Sequence, residues 1–225
     1  DPGLLCAGIT ISTGATAGNI VFSSTLNNAQ TLGLTAGTGD ITFTGIVGGT
    51  APLAAVTINS AANVTATTFS AASLTQSAGT GTTTLNGVVT LTTGATQLAL
   101  TTATIDINES VTTVGGLVDL NATTLVDLAT TKSITTTATV NTGTISGAID
   151  IDVSGTGTVN LPGTLVTTGV ANNAGTGSAG GAVTIDTADG VIAVNAITTT
   201  GGAATAGVNI GGAAGVITIN TGTNN

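Results

Sequence analysis

Three aspartates sit at the centres of apolar triplets: Ile105-Asp106-Ile107, Val126-Asp127-Leu128 and Ile149-Asp150-Ile151. The triplets follow one another at nearly equal spacing. If they stack as equivalent strands, Asp106, Asp127 and Asp150 form a column of carboxylates on one outward face. Like charges at strand spacing repel unless a cation lies between them or their pKa values rise. Calcium suits such a column, being oxygen-seeking and tolerant of irregular geometry, and Glu109 and Asp152 stand close by in sequence. The bland alternative is a solvated acidic stripe that keeps the chain soluble. Asp186 and Asp189, just before Gly190, fit a turn better than a second calcium site. No other cofactor is expected.

The remaining candidates are weaker. Thr-x-Thr pairs recur at Thr82/Thr84, Thr102/Thr104 and Thr142/Thr144, and a flat threonine array of that kind is what an ice-binding β-helix uses. Thr123-Thr124 interrupts the pattern, and threonine is so common here that coincidence supplies such pairs. Asn63, Asn108 and Asn121 open N-x-[ST] sequons, which read as corner asparagines in a threonine-rich chain. Cys6 follows Leu4-Leu5 in a lipobox-like run, but Leu5 stands where a small residue belongs, so Cys6 is expected to be a small buried side chain.

Composition removes most catalytic apparatus. The 225 residues include no His and one Lys or Arg, Lys132, against ten carboxylates. Imidazole-dependent nucleophiles, His- or Cys-based zinc sites and charge-stabilised phosphoryl transfer therefore have no residues to build them. Carboxylates alone cleave polysaccharides in some proteins, but such sites grip the sugar with basic or aromatic groups. This chain has three Phe and neither Trp nor Tyr, so no enzyme activity is expected. A net charge of −9 offers no cationic footprint for nucleic acid or anionic lipid. No apolar run is long enough for a membrane helix, and three Phe cannot furnish the aromatic girdles of a transmembrane barrel, so no membrane insertion is expected.

The elements that must position these residues are short strands. Thr, Val, Ile and Gly are mediocre or poor helix formers, and apolar residues alternate with polar ones in triplets such as Ile9-Thr10-Ile11, Ile41-Thr42-Phe43, Val56-Thr57-Ile58 and Val183-Thr184-Ile185. The triplets repeat. Gly18-Asn19-Ile20-Val21-Phe22 returns as Gly39-Asp40-Ile41-Thr42-Phe43, and toward the end Val183, Ile185, Ala188, Gly190 and Val191 return, at a slightly longer interval, as Val208, Ile210, Ala213, Gly215 and Val216. A period of about 21–25 residues with two or three strands in each predicts a parallel β-solenoid of about ten turns, running through residues 1–225 as a single segment. The Gly/Ala/Asn-rich stretch 169–182 departs from the period and reads as a loop bulging from one turn.

The phrases GTGDITFTGIVGGTAPLAAVTINSAANVT and GGAVTIDTADGVIAVNAITTTGGAATAGVNIGGAAGVITI resemble the repeat regions of secreted bacterial proteins related to filamentous haemagglutinin. The likeness lies in composition and rhythm. It implies a right-handed parallel β-helix, export to the bacterial cell surface or extracellular space, and an adhesive or structural role without catalysis; it carries over no binding residue and names no surface or carbohydrate ligand. The chain opens on Asp1 without a charged signal region and shows no polar cap at either end, so it reads as processed or as an excerpt. Its expected partner is itself: further turns of a longer protein, or identical subunits stacked end to end into a filament.

Overall fold

The computed structural model describes residues 3–138, 145–172, 175–204 and 210–222. Among them the regular structure is entirely β, as the alternating triplets require, in twenty strands. In chain order these begin β1 (Gly3–Leu4), β2 (Ile9–Ser12), β3 (Ile20–Phe22), β4 (Leu26–Asn27), β5 (Leu32–Thr35), β6 (Ile41–Phe43) and β7 (Leu53–Ser60). The middle of the chain supplies β8 (Val64–Ala66), β9 (Phe69–Gln76), β10 (Thr82–Leu85), β11 (Val89–Leu91), β12 (Thr96–Ile107), β13 (Val111–Thr113) and β14 (Leu117–Leu128). The last are β15 (Ser133–Thr136), β16 (Ile149–Val153), β17 (Thr158–Val166), β18 (Val183–Thr187), β19 (Ile192–Thr198) and β20 (Ile217–Asn220).

The expected right-handed parallel β-helix of about ten turns is not what these strands build. Every pairing between strands is parallel, but eighteen strands join in one sheet, in which seven close a parallel barrel and eleven lie outside it. The closed ring runs β9, β11, β13, β15, β17, β14, β12 and back to β9. Long strands cause the closure, because each serves two ladders at once. Phe69 to Ala71 of β9 pair with β11, while Leu74 to Gln76 of the same strand pair with β12. In the same way β14 meets β16 through Val118 to Ala122 and β17 through Leu125 to Asp127.

The spacing is also less regular than expected. The earlier echoes are true pairings: Ile20, Val21 and Phe22 lie beside Ile41, Thr42 and Phe43, and Ile105 to Ile107 beside Val126 to Leu128. Further on, Ile149 lies beside Val118 and Val183 beside Ile149, and both of these steps are much longer than the earlier ones. The late echo is not a pairing, since Val183 and Ile185 lie beside Ile217 and Ile219; Val208 itself falls outside the described residues. The stretch 169–182 carries no strand among its described residues. Gly177, Ser178, Gly180 and Gly181 within it are nevertheless buried, and their amides donate to the carbonyls of Ile210, Val170, Ala213 and Thr167.

Alternation turns Val, Ile and Leu inward, and equivalent positions stack into aliphatic columns. The longest ladder comprises β2, β5, β7, β9, β12, β14, β16, β18 and β20. One of its inward columns reads Ile11, Leu34, Ile58, Gln76, Leu100, Leu120, Ile151, Ile185, Ile219, in which Gln76 is the single polar member. Gln76 is 1% exposed; its Oε1 accepts from the Thr83 hydroxyl at 2.6 Å, while its Nε2 has no partner among the described residues. An orphaned buried donor costs about 1–3 kcal/mol, and replacing both partners by apolar groups of like shape removes that cost. The double variant Gln76→Leu/Thr83→Val is therefore expected to gain about 1–2 kcal/mol, read as a higher urea midpoint at unchanged slope. Gln76→Leu alone should gain less, because it strands the Thr83 hydroxyl. A double variant less stable than the parent would show that the amide is satisfied.

Candidate functional site

The sheet does not stack the three predicted aspartates together. Asp106 and Asp127 are neighbours in β12 and β14, as the sequence suggests, but Asp127 is followed by Asn160 of β17. Asp150 belongs to the other ladder, between Asp119 and Thr184. Its register follows the run Val118-Asp119-Leu120-Asn121-Ala122, which Ile149-Asp150-Ile151-Asp152-Val153 matches over five positions rather than three. Asp106 and Asp127 are each answered by an amide: Asn108 Nδ2 donates to Asp106 Oδ2 at 3.1 Å, and Asn160 Nδ2 to Asp127 Oδ1 at 2.5 Å. Glu109, expected near the column, instead binds Lys132 Nζ with both carboxylate oxygens at 2.9 Å. Among the described residues no three carboxylate, imidazole or thiol groups converge as a metal would need, so the calcium expectation gains no geometry here.

A different acidic corner emerges. Asp119 lies beside Asp150, and Asp152 beside Asp186, with Asn121 and Asn220 continuing the second row on either side. Asn121 Nδ2 donates to Asp119 Oδ1 at 2.6 Å. Two shallow clefts adjoin the corner and share Asp152 and Ser154. One, of about 370 Å³, is floored by Asp186, Thr187 and Asn220; the other, of about 220 Å³, by Thr102, Asn121 and Thr123. The signal for this corner was the second aspartate of Ile149-Asp150-Ile151-Asp152, which puts two carboxylates on the same face of one strand. Asp189 is not part of it: it sits in the turn after β18, where its amide donates to the Gly155 carbonyl.

Burial raises the Asp150 and Asp152 carboxyls above the ordinary value of 3.8. Asp152, Asp119 and Asp186 add to the shift of Asp150, and Asp186 and Asp119 to that of Asp152. The folded protein thus holds these protons more tightly than the unfolded chain does. The stability linked to them is fully present below 3.8 and is lost as pH rises through the raised values. Asp152→Asn, which copies the side chain already present at Asn121 and Asn220, is expected to raise Tm by about 1–3 °C at neutral pH, from the cost of like charges on adjacent strands. The gain should fade below pH 3.8, where Asp152 is itself neutral. Melting curves of parent and variant across that interval check both the size and the sign.

The other candidates are dispersed or spent. Thr82 lies beside Thr104, but Thr84 lies beside Asp106, and Thr102 is buried with its hydroxyl donating to the Gly81 carbonyl at 2.8 Å. These two pairs therefore share no flat face, and Thr142/Thr144 falls outside the described residues. Cys6 is exposed rather than buried. Asn121 lies within β14 rather than at a corner, whereas Asn63 does serve a corner. Asn19 Oδ1 accepts the Asp40 amide at 2.9 Å, Asp40 Oδ1 accepts from Asn63, and Asn63 Oδ1 accepts the Thr82 amide at 2.8 Å, so one polar side chain ties each corner to the next. No helix of the described chain is long and apolar enough to cross a membrane. No family model, curated protein or solved structure matches the chain.

Proposed function

We propose that this chain is a non-enzymatic structural protein of the bacterial exterior, a stiff parallel-strand element that spans distance or builds a fibre. One observation carries the reading: much of the polar side-chain chemistry of the chain is engaged in holding strands to one another. Asn19, Asp40 and Asn63 cap successive corner amides, and Lys132 closes on Glu109 across neighbouring strands. The clefts beside Asp152 offer Thr, Ser, Asn, Asp and Gly, with no cationic or aromatic group to grip a sugar or a phosphate. The backbone pairing and burial across 177–181 support scaffold over adhesin, since they tie down the stretch expected to bulge as a loop from which an adhesive surface could protrude. The resemblance of the repeat phrases to filamentous haemagglutinin-related proteins points to export in the same direction.

Immunogold labelling with antibodies raised against the purified chain, applied to intact cells of the organism that makes it, should decorate the outer surface. Labelling seen only after permeabilisation would overturn the surface assignment. Incubation with a panel of polysaccharides should leave each at its starting length, and measurable depolymerisation would overturn the non-enzymatic one.

A further inference from the structure

Among the described residues the longest ladder begins at β2 and ends at β20, and each of these strands pairs there on one side only, with β5 and β18 respectively. The two open strands carry nearly the same side chains, Ile9-Thr10-Ile11-Ser12 and Ile217-Thr218-Ile219-Asn220. They also occupy the same columns: Ile9 and Ile217 end the column that runs through Val118 and Ile149, and Ile11 and Ile219 end the one that runs through Leu120 and Ile151. Inside the ladder the equivalent Val183 and Ile185 are wholly buried, whereas Ile217 and Ile219 are 46% and 50% exposed. Neither open strand carries a charge or a proline, the usual means by which an edge is kept from pairing.

The backbone is complementary as well. The Val183 amide donates to the Val216 carbonyl, so by parallel alternation the peptide groups of Ile217 and Ile219 face the open side of β20. The Ile9 amide donates to the Thr31 carbonyl, so those of Thr10 face the open side of β2. We propose that β20 takes β2 of a second copy of this chain as its next parallel strand, with Ile217 beside Ile9, Thr218 beside Thr10 and Ile219 beside Ile11. The proposal rests on the structural reading above and gives it an assembly contact. The contact uses different surfaces on the two copies, so it does not close on itself but propagates.

Two single-site variants test it directionally. Ile217→Lys spoils the β20 edge and keeps β2; Ile9→Lys spoils β2 and keeps β20. Sedimentation velocity of the parent should show oligomers that lengthen with concentration, each variant alone should remain monomeric, and an equimolar mixture of the two should stop at a dimer. Ile219→Pro, which removes an outward amide without placing a charge, should block the parent's growth in the same way. A parent that stays monomeric at high concentration, variants that assemble as the parent does, or a mixture without dimer would each overturn the proposal. Monomers that still label at the cell surface would overturn this contact alone and leave the structural function standing.

Discussion

Phe43→Ala is expected to destabilise the protein by about 3–5 kcal/mol, the cost of emptying a buried phenyl site, and to lower Tm by roughly 10 °C in a chain of this length. Phe43 is 1% exposed and has aromatic neighbours on two sides. Phe22, beside it on β3, stacks on its face with ring centres 5.1 Å apart and planes 6° from parallel. Phe69 belongs to a different ladder and presents its ring at 85°, with centres 5.7 Å apart. The next residue on the Phe43 column is Ala66, too small to fill the space, so truncation at 43 leaves a void no neighbour on that column can close. All three phenylalanines of the chain meet at this place. Phe22→Ala is the internal comparison: its ring is only half-buried at the open end of the stack, so it should cost about half as much or less. Chemical denaturation of both variants reads the difference, and a Phe43→Ala loss below about 1 kcal/mol would mean that the core collapses onto the gap.

The strands themselves were legible because their signal is local. Period-two alternation shows within a single triplet, and Ile41-Thr42-Phe43 is buried, half-buried and buried, as the letters suggest. Pairing was legible where connections are short and alike, as between Ile20 and Ile41 or Ile105 and Val126. It failed where connections lengthen. Between β14 and β16, and again between β16 and β18, the ladder absorbs a longer stretch of chain, and a fixed register slid Val183 onto Val208 instead of Ile217. Gly- and Ala-rich connections resemble one another whatever their length, so identity between them says little about alignment. The sheet's closure was not legible at all. It depends on β9, β12, β14 and β17 each continuing from one ladder into the next, and nothing in Leu74-Thr75-Gln76 states which strand lies alongside.

The acidic site failed for the same reason as the register. Choosing Val126-Asp127-Leu128 as the predecessor of Ile149-Asp150-Ile151 put Asp150 on the wrong column. The longer likeness to Val118-Asp119-Leu120-Asn121-Ala122 would have placed it correctly and exposed the second row through Asp152 and Asp186. Burial and neighbouring carboxylates raise the carboxyls of Asp150 and Asp152, whereas Asp40, Asp106 and Asp127 are paired with asparagine and Glu109 with lysine. That contrast makes the Asp152 corner the place where net charge acts on stability, and it is why neutralising Asp152 should help where neutralising Asp106 should not.

The second large effect is expected at Gly48, where a single added methyl meets two independent obstacles. Gly48 has φ of 70°, a left-handed conformation that costs a residue with Cβ about 1–2 kcal/mol. It is also buried at the point where two ladder bonds cross: its amide donates to the Leu26 carbonyl at 2.7 Å, and the Ser70 amide donates to the Val47 carbonyl at 2.8 Å. A Cβ on Gly48 would overlap the Ser70 carbonyl oxygen and press on Pro52 Cα, both of them backbone atoms that cannot rotate aside. Relief requires β9 to shift near Ser70, and Phe69, the next residue back, bridges to Val47 and supplies the edge-on contact to Phe43. Strain and overpacking together give an expected loss of about 3 kcal/mol for Gly48→Ala, well above the sub-kilocalorie change of an ordinary exposed glycine. Gly14 separates the two causes. It shares the left-handed backbone, at φ of 88°, but has open space where its Cβ would go, so Gly14→Ala should show the conformational cost alone. Equal losses at the two sites in urea unfolding would show that β9 yields freely at Ser70; a larger loss at Gly48 identifies the Ser70 carbonyl as the obstacle.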